Sequence, residues 1–503
     1  MKILSGPKIK EADAFTILHE PISSIDLMER ASSAFFSKFS ELYFAPCKVS
    51  VFCGPGNNGG DGLAIARMLH LAKYDVSVYF LDIGGNFSDD FLINQQRMKE
   101  LAPDRILYLN DITQFPIVAK GEIIIDSLFG TGFSRTIDGL VAQVINGIND
   151  SENFIVSVDI PSGLFTDVQN ENESRIIKAT HTITFQLPKL SFFFCSNSSY
   201  TGEWHVLDIG LNKEYIDKAE TRNFYIDQKL AQSILKPRQR CDHKGTYGHA
   251  LTWAGSYGKI GAAQLCARAC LNAGAGLTTA YIPSIGYSIF QTALPEIMVL
   301  TDANKDVLTQ VPDVSKYNAI GIGPGIDKDV KTAQALSELL ARAKDIPVVI
   351  DADALNIISE NKNLLKSLPK HSILTPHPKE FERLTGPAKT DWERQEMASK
   401  FAQECNCVLV LKGAYTTVNL PNGKTYFNAT GNPGMAKGGS GDALTGIITG
   451  LLAQKYSTEE AAILGVYIHG LAGDFAAKKK SSWSMTASDL IENLGEAFQT
   501  IDQ

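Results

Sequence analysis

Short apolar, β-branched runs recur through this chain, each ending in glycine or an acid and each followed by residues with helical spacing. KVSVFCG (Lys48–Gly54) leads into DGLAIARMLHLAKY (Asp61–Tyr74), and DVSVYFLD, EIIIDSLFG and NFIVSVDIPSG continue in the same style. Strands that are apolar throughout are buried on both faces, and strands that alternate with helices pair in parallel. The pattern predicts an open parallel sheet with helices on both sides. THTITFQLPKLSFFF and GEWHVLDIG close this half near Gly210.

The alternation resumes in GLTTAYIP, YNAIGIGPG, IPVVIDADALN, HSILTPHPKEF and CVLVLKGAYT, with helix-like runs such as IGAAQLCARACLNAGA between them. The stretch from Leu211 to about Lys236 is more charged and lacks glycine-bounded strands. A chain of 503 residues exceeds one ordinary core. Two α/β domains are predicted, over residues 1–215 and 236–503, with a linker at 216–235. No repeat relates the halves.

Composition narrows the function classes. Asp and Glu number 55 against 47 Lys and Arg, a net charge of −8 that argues against a general nucleic-acid binder. No apolar run approaches the roughly 20 residues that span a bilayer. The start, MKILSGPKIKEADAF, does not read as a signal peptide, so a cytoplasmic location is expected. The eight cysteines lack zinc spacing and read as reduced, mostly buried thiols.

Three strand ends of the first half carry polar groups. GPGNNGGDG (Gly54–Gly62) satisfies GxGxxG between a strand and a helix, and Asp82 ends the next strand. This reads as a dinucleotide fingerprint or as a plain tight turn. Asn57, Asn58 and Asp61 crowd the loop, however, and Asp126 and Asp159 end two further strands. Carboxyl ends of parallel strands converge on one crevice. Amide, carboxylate and hydroxyl oxygens there suit a hard cation. Each acid taken alone could also be a helix cap.

GPGNNGGDGLAIAR, DSLFGTGFSR and VDIPSG together resemble the YjeF N-terminal family of epimerases acting on hydrated NADH and NADPH. The resemblance covers most of residues 1–215 and implies a Rossmann-like three-layer αβα sandwich. It implies that Asn57, Asn58, Gly59, Gly60 and Asp61 hold the hydrated nucleotide with Gly130, Thr131, Gly132, Phe133, Ser134, Arg135 and Thr136. It further implies that Asp159 contacts the nicotinamide-derived ring as a catalytic group, and that potassium binds Asn58, Asp126 and Ser162.

In the second half, GNPGMAKGGSGDALTG (Gly431–Gly446) places Asp442 where a glycine-rich turn becomes a helix. Free amides at a helix start favour phosphate. A carboxylate there would serve as a general base toward a hydroxyl approaching that phosphate, or as a cap of the helix. No GxxxxGK[ST] and no protein-kinase set is present. Asp351 and Asp353 (VIDADALN), His377 and Glu380 (LTPHPKEFERL) and Lys412 (LKGAYT) lie at other strand ends. Asp351 and Asp353 could be helix caps, His377 a structural turn residue and Lys412 a solvated strand end.

HKGTYGH, DADALN, TPHPKEFERL, LKG and GNPGMAKGGSGDALTG, in this order, resemble the ADP- or ATP-dependent hydrated NAD(P)H dehydratases, a ribokinase-like branch. The resemblance implies a ribokinase-like α/β domain. Substrate would contact Ala262, Gly325, His377 and Asp442, with Asp442 catalytic. Nucleotide would contact Lys412, Gly413, Ala414, Tyr415, Thr416 and Gly441. Mg²⁺ would accompany ADP or ATP, the substrates would be NADHX and NADPHX, and the chain would form a homo-oligomer, a tetramer or higher. The rival reading is a small-metabolite hydroxyl kinase with an N-terminal nucleotide-binding regulatory module.

Overall fold

In the computed structural model, residues 1–81, 87–171 and 174–502 are described. The chain divides into two compact units, one spanning Lys2–Thr221 and the other everything from Arg222 onward together with Met1.

The first unit is built on seven parallel strands in the spatial order Ile106–Leu109, Asp75–Leu81, Lys48–Cys53, Ile123–Ser127, Phe154–Val158, His181–Phe185, Glu203–Leu207. Both faces are covered, as the uninterrupted apolar runs require. Val49, Val51 and Cys53 point into a core with Phe35, Phe39, Leu63 and Leu69, while Phe52 joins Ile124, Ile145 and Ile148 on the other face. Strand order reverses between Lys48–Cys53 and Ile123–Ser127, so the crevice at their carboxyl ends is the topological switch point of the sheet.

One element starts earlier than its pattern suggests. The helix runs Asn57–Leu71, so most of the expected glycine loop is its first turn. The reason is packing. A Cβ on Gly62 would come within 1.9 Å of Ser127 Oγ, so only glycine lets this turn press against the neighbouring strand end.

In the second unit the order is Asn223–Tyr225, Thr425–Phe427, Thr417–Asn419, Val408–Leu411, Ser372–Leu374, Val348–Ile350, Ala319–Ile322, His249–Trp253, Leu277–Ile282, Met298–Thr301. Thr417–Asn419 is antiparallel to both neighbours, and the other pairings are parallel. The stretch expected as a linker contributes the strand Asn223–Tyr225 and the helix Gln228–Ile234 to this unit, with Ile226 and Ala231 fully buried. The helix Ser440–Ala453 is buried on every side from Ala443 to Ala453. Gly446 and Gly450 let it approach the helix Ile260–Asn272 so closely that a Cβ would meet Cys266 and Cys270 carbonyls at 2.1 and 2.5 Å. This contact fixes where the helix start, and Asp442 with it, sits over the sheet.

No disulfide is recorded among the described residues. Cys53, Cys266, Cys270 and Cys407 are buried, but Cys195 and Cys241 are exposed, so burial of the thiols is only partial. Among the described residues no helix is long and apolar enough to cross a membrane.

Candidate active sites

At the crevice of the first unit, Asp126 is fully buried and accepts four hydrogen bonds. Ser157 Oγ donates at 2.7 Å, Ser162 N at 2.9 Å, Ser162 Oγ at 2.5 Å and Leu128 N at 3.3 Å. Burial raises its pKa, and these donors oppose the rise. Ser162 Oγ also accepts from Phe129 N at 2.9 Å, tying the VDIPSG turn to the DSLFGTG turn. Gly130 lies against Asn58, where an added Cβ would be 3.4 Å from the Asn58 Cβ. The expected cation residues thus share one corner. Asn58 is buried, and among the described residues its Nδ2 has no hydrogen-bond partner, which leaves an N–H donor for an acceptor atom of a ligand. Amide, carboxylate and hydroxyl oxygens fit a hard monovalent cation.

A second group lies beside it. Asp159 holds a left-handed backbone, φ 65°, which a non-glycine residue adopts only when its surroundings enforce it. Its Oδ1 accepts from Lys189 Nζ at 2.7 Å, Thr184 Oγ1 at 3.0 Å and Phe185 N at 3.1 Å. Lys189 is wholly buried and also donates to the Leu187 carbonyl at 3.1 Å. Burial and the Asp159 charge push Asp13 up to about 6, with Lys189 opposing. Burial, then Asp159 and Asp13, hold Asp61 well above the carboxylate range. Sequence reasoning missed Lys189 and Asp13. A lone lysine amid the apolar LPKLSFFF was the available signal for the first; nothing local marked the second.

Of the remaining residues expected here, Gly59 and Gly60 are buried in the first helical turn and Asn57 is exposed. The Thr131 carbonyl is held by Thr166 Oγ1 at 3.2 Å, and Phe133 stacks on Phe129 with centroids 4.5 Å apart. Gly132, Ser134, Arg135 and Thr136 are exposed on that loop. Asp82 lies outside the described residues.

In the second unit, Lys412 Nζ donates to the buried Asp351 carboxylate at 2.7 Å and lies 3.8 Å from Glu380 Oε2. Thr445 Oγ1 donates to the other Asp351 oxygen at 2.7 Å. Asp351 occupies the N-cap position of Ala352–Glu360 but makes no side-chain cap bond, so its carboxylate serves this pair instead. Lys412 is only 19% exposed and is no solvated strand end. Gly441 lies beside it, an added Cβ falling 3.3 Å from Lys412 Nζ.

Asp442 is not the helix cap. That position belongs to Gly439, at φ 95°, and Asp442 lies in the first turn, among amides with no partner inside the helix. Burial, then the Asp351 charge, push its carboxyl up to about 7; Lys412 pulls the other way, and Asp353 and Glu380 add to the rise.

His377 caps the helix Pro378–Thr385: its Nδ1 accepts from Lys379 N at 3.1 Å and Glu380 N at 3.4 Å, and Glu380 accepts from His377 N at 2.8 Å. With Nδ1 accepting, the proton of the neutral ring sits on Nε2, 3.5 Å from Glu380 Oε1; burial lowers the ring's pKa and the Glu380 charge opposes that. Ala262 and Gly325 meet, with an added Gly325 Cβ 3.1 Å from Ala262 Cβ. Beside them Lys259 bridges Asp353 at 3.2 Å and Asp327 at 3.4 Å. The loop from Lys412 to Thr416 closes on itself through Thr416 Oγ1 and the Gly413 carbonyl at 3.0 Å. Gly413 and Ala414 are exposed and Tyr415 partly so. Thr445 and Lys259 are site residues that sequence reasoning did not single out; Thr445 stands three positions after Asp442, on the same helix face.

Two open α/β units, each with glycine-rich helix starts and clustered acids at the carboxyl ends of its strands, define a two-site enzyme of the nucleotide-handling α/β class. A family model described as YjeF-related protein N-terminus matches residues 24–191, and one described as NAD(P)H-hydrate dehydratase matches residues 250–496. A bifunctional NAD(P)H-hydrate repair enzyme of Moorella thermoacetica is 36% identical over 519 aligned residues, covering 100% of this chain and 98% of that protein. Its counterpart in Coxiella burnetii is 33% identical, covering 97% of each. The chain belongs to the family of bifunctional NAD(P)H-hydrate repair enzymes. The crystal structure of a ribokinase-like superfamily protein from Enterococcus faecalis, 29% identical, matches 57% of this chain and 98% of its own length with a TM-score of 0.50.

Proposed function

We propose that this chain repairs hydrated nicotinamide nucleotides in two steps. The first unit interconverts the R and S epimers of NADHX and NADPHX, and the second dehydrates the S epimer to NAD(P)H at the expense of ADP or ATP. The observation that carries this reading is the Asp442 carboxyl, tuned to about 7 in the first turn of a helix, where backbone amides lack partners within the helix and favour phosphate.

In the dehydratase site, Asp442 takes the proton of the substrate hydroxyl as that oxygen attacks the terminal phosphoryl group. The first-turn amides around Gly441 and the ammonium of Lys412 receive the negative charge that develops. The hydroxyl leaves as phosphate, a proton departs from the neighbouring ring carbon, and the dihydropyridine is restored. His377 offers its Nε2–H to the substrate, while Ala262 and Gly325 form a wall with no side chain beyond Cβ. Asp351, Asp353, Glu380 and Asp442 outnumber the lysines beside them, and this surplus fits Mg²⁺ brought in on the phosphates of the nucleotide. When bound, Mg²⁺ neutralises phosphate charge.

In the epimerase site, Asn58, Asp126 and Ser162 would hold potassium, which when bound offers a positive charge to substrate oxygens. Asp159 turns its Oδ2 to the hydrated ring as the proton acceptor, and Lys189, bonded to Oδ1, holds the carboxylate in place. Asn57–Asp61 and the loop Gly130–Thr136 close over the nucleotide. A homo-oligomer of four or more copies is the assembly the family resemblance implies.

The test supplies purified S epimer with ADP or ATP and Mg²⁺ and follows NAD(P)H absorbance. Absorbance should appear with stoichiometric release of phosphate, and the R epimer should be consumed only in the presence of an active first unit. A stable phosphorylated product without absorbance would favour a small-metabolite kinase instead.

A further inference from the structure

The strand Glu203–Leu207 is the last of the first sheet, and its register against His181–Phe185 sets His181 beside Glu203 and Ile183 beside His205. Alternation along the strands then puts His181, Glu203 and His205 on one face. The two imidazoles confront each other: His205 Nε2 stands 3.4 Å from His181 Nδ1, with ring planes 30° apart. A carboxylate oxygen of Glu203 is 3.9 Å from His205 Nε2. One ligand atom from each of the three residues falls within 4.8 Å of the others.

We infer that His181, Glu203 and His205 form a binding site for a divalent transition metal, with Zn²⁺ as the ion that fits best. The separation of the nitrogens is long for an N–H···N bond. It matches the edge, about 3.3 Å, of a tetrahedron whose zinc–nitrogen bonds are about 2.0–2.1 Å. Two imidazoles and one carboxylate form a borderline-soft donor set, suited to zinc, cobalt or nickel and unsuited to potassium or magnesium, which take oxygen alone.

The place in the fold separates this site from catalysis. His181 and Glu203 open their strands, whereas Asp126 and Asp159 lie at or just beyond the carboxyl ends of theirs. An ion here bridges the edge strand to its neighbour, opposite the crevice. Tyr43, with its ring edge-on to His181 at 6.0 Å, walls one side. Because the folded chain alone assembles the three ligands, binding stabilises the fold in proportion to ligand occupancy.

The test titrates the full chain, stripped with a chelator, with Co²⁺ and then Zn²⁺. One equivalent of Co²⁺ should bind with nitrogen–oxygen visible bands and without thiolate charge transfer, be displaced by Zn²⁺, and raise Tm. H181A and H205A should each abolish that equivalent, and E203Q should weaken it. In the wild-type chain labelled at histidine, Co²⁺ should selectively broaden the His181 and His205 ring signals, a readout that does not depend on the variants folding. Thiolate bands at the first equivalent, unchanged stoichiometry in the folded H181A/H205A double variant, or broadening of other histidines in place of these two would overturn the assignment.

Discussion

Lys412 reaches the buried carboxylate of Asp351 at 2.7 Å, and the same ammonium lowers the pKa of Asp442. One lysine therefore supports the fold and tunes the base. Lys412→Met leaves Asp351 buried without its counter-charge, a loss of roughly 3–5 kcal/mol by analogy with broken buried pairs. It should also move the acid limb of the dehydration pH profile upward, because the charge that pulls Asp442 down is gone. Chemical denaturation and kcat against pH measure the two effects; an acid limb that stays in place would remove Lys412 from the tuning.

Asp442 itself should govern that limb. A carboxyl tuned to about 7 accepts no proton when already protonated, so the rate should fall as pH drops below about 7. Asp442→Asn should cost on the order of 10²- to 10⁴-fold in rate. Stability carries the opposite sign. The folded carboxyl holds its proton more tightly than the unfolded one, so its contribution is lost as pH rises from the unfolded value through about 7. Above that pH Asp442→Asn should therefore melt at a higher temperature than the parent, and a large drop in Tm would mark the residue as structural instead.

Lys189→Met removes the ammonium that faces a group of acids including Asp13, Asp61 and Asp159. Epimerisation of R to S, followed by chromatography of the two forms, should be lost. Dehydration of pure S epimer should continue, because its residues lie in the other unit. Full epimerisation in this variant would exclude Lys189 from the chemistry.

Asn58→Ala removes one oxygen from the proposed cation corner while leaving the four donors to Asp126 in place. The expected outcome is a higher potassium concentration for half-maximal epimerisation, with little change in Tm. An unaltered potassium response would relocate the cation.

A fragment beginning at Arg222 should fold and dehydrate the S epimer. One beginning at Lys236 lacks the strand Asn223–Tyr225, exposes the edge of Thr425–Phe427 and loses buried Ile226 and Ala231. It should be markedly less soluble, as expression and light scattering would report.

Local chemistry made much of this protein legible from its sequence. The central strands of both sheets and the strand-end positions of Asp126, Asp159 and Asp351 follow from apolar runs stopped by glycine or acid, and the helix-start position of Asp442 from the glycines before it, because backbone preference and side-chain alternation act over a few residues; the short strands Ile106–Leu109, Asn223–Tyr225, Met298–Thr301, Thr417–Asn419 and Thr425–Phe427 carry no such local signal. Tertiary structure decided the rest. It drew the glycine loop into the helix Asn57–Leu71, because close approach to Ser127 is a matter of packing. It made Gly439 the cap and freed Asp442 from that role. It brought Lys189 and Asp13 to Asp159, and Thr445 and Lys412 to Asp351, through contacts between distant segments. The proton affinity of Asp442 belongs to this second class, since burial and the charges of remote residues set it, and no stretch of sequence contains either.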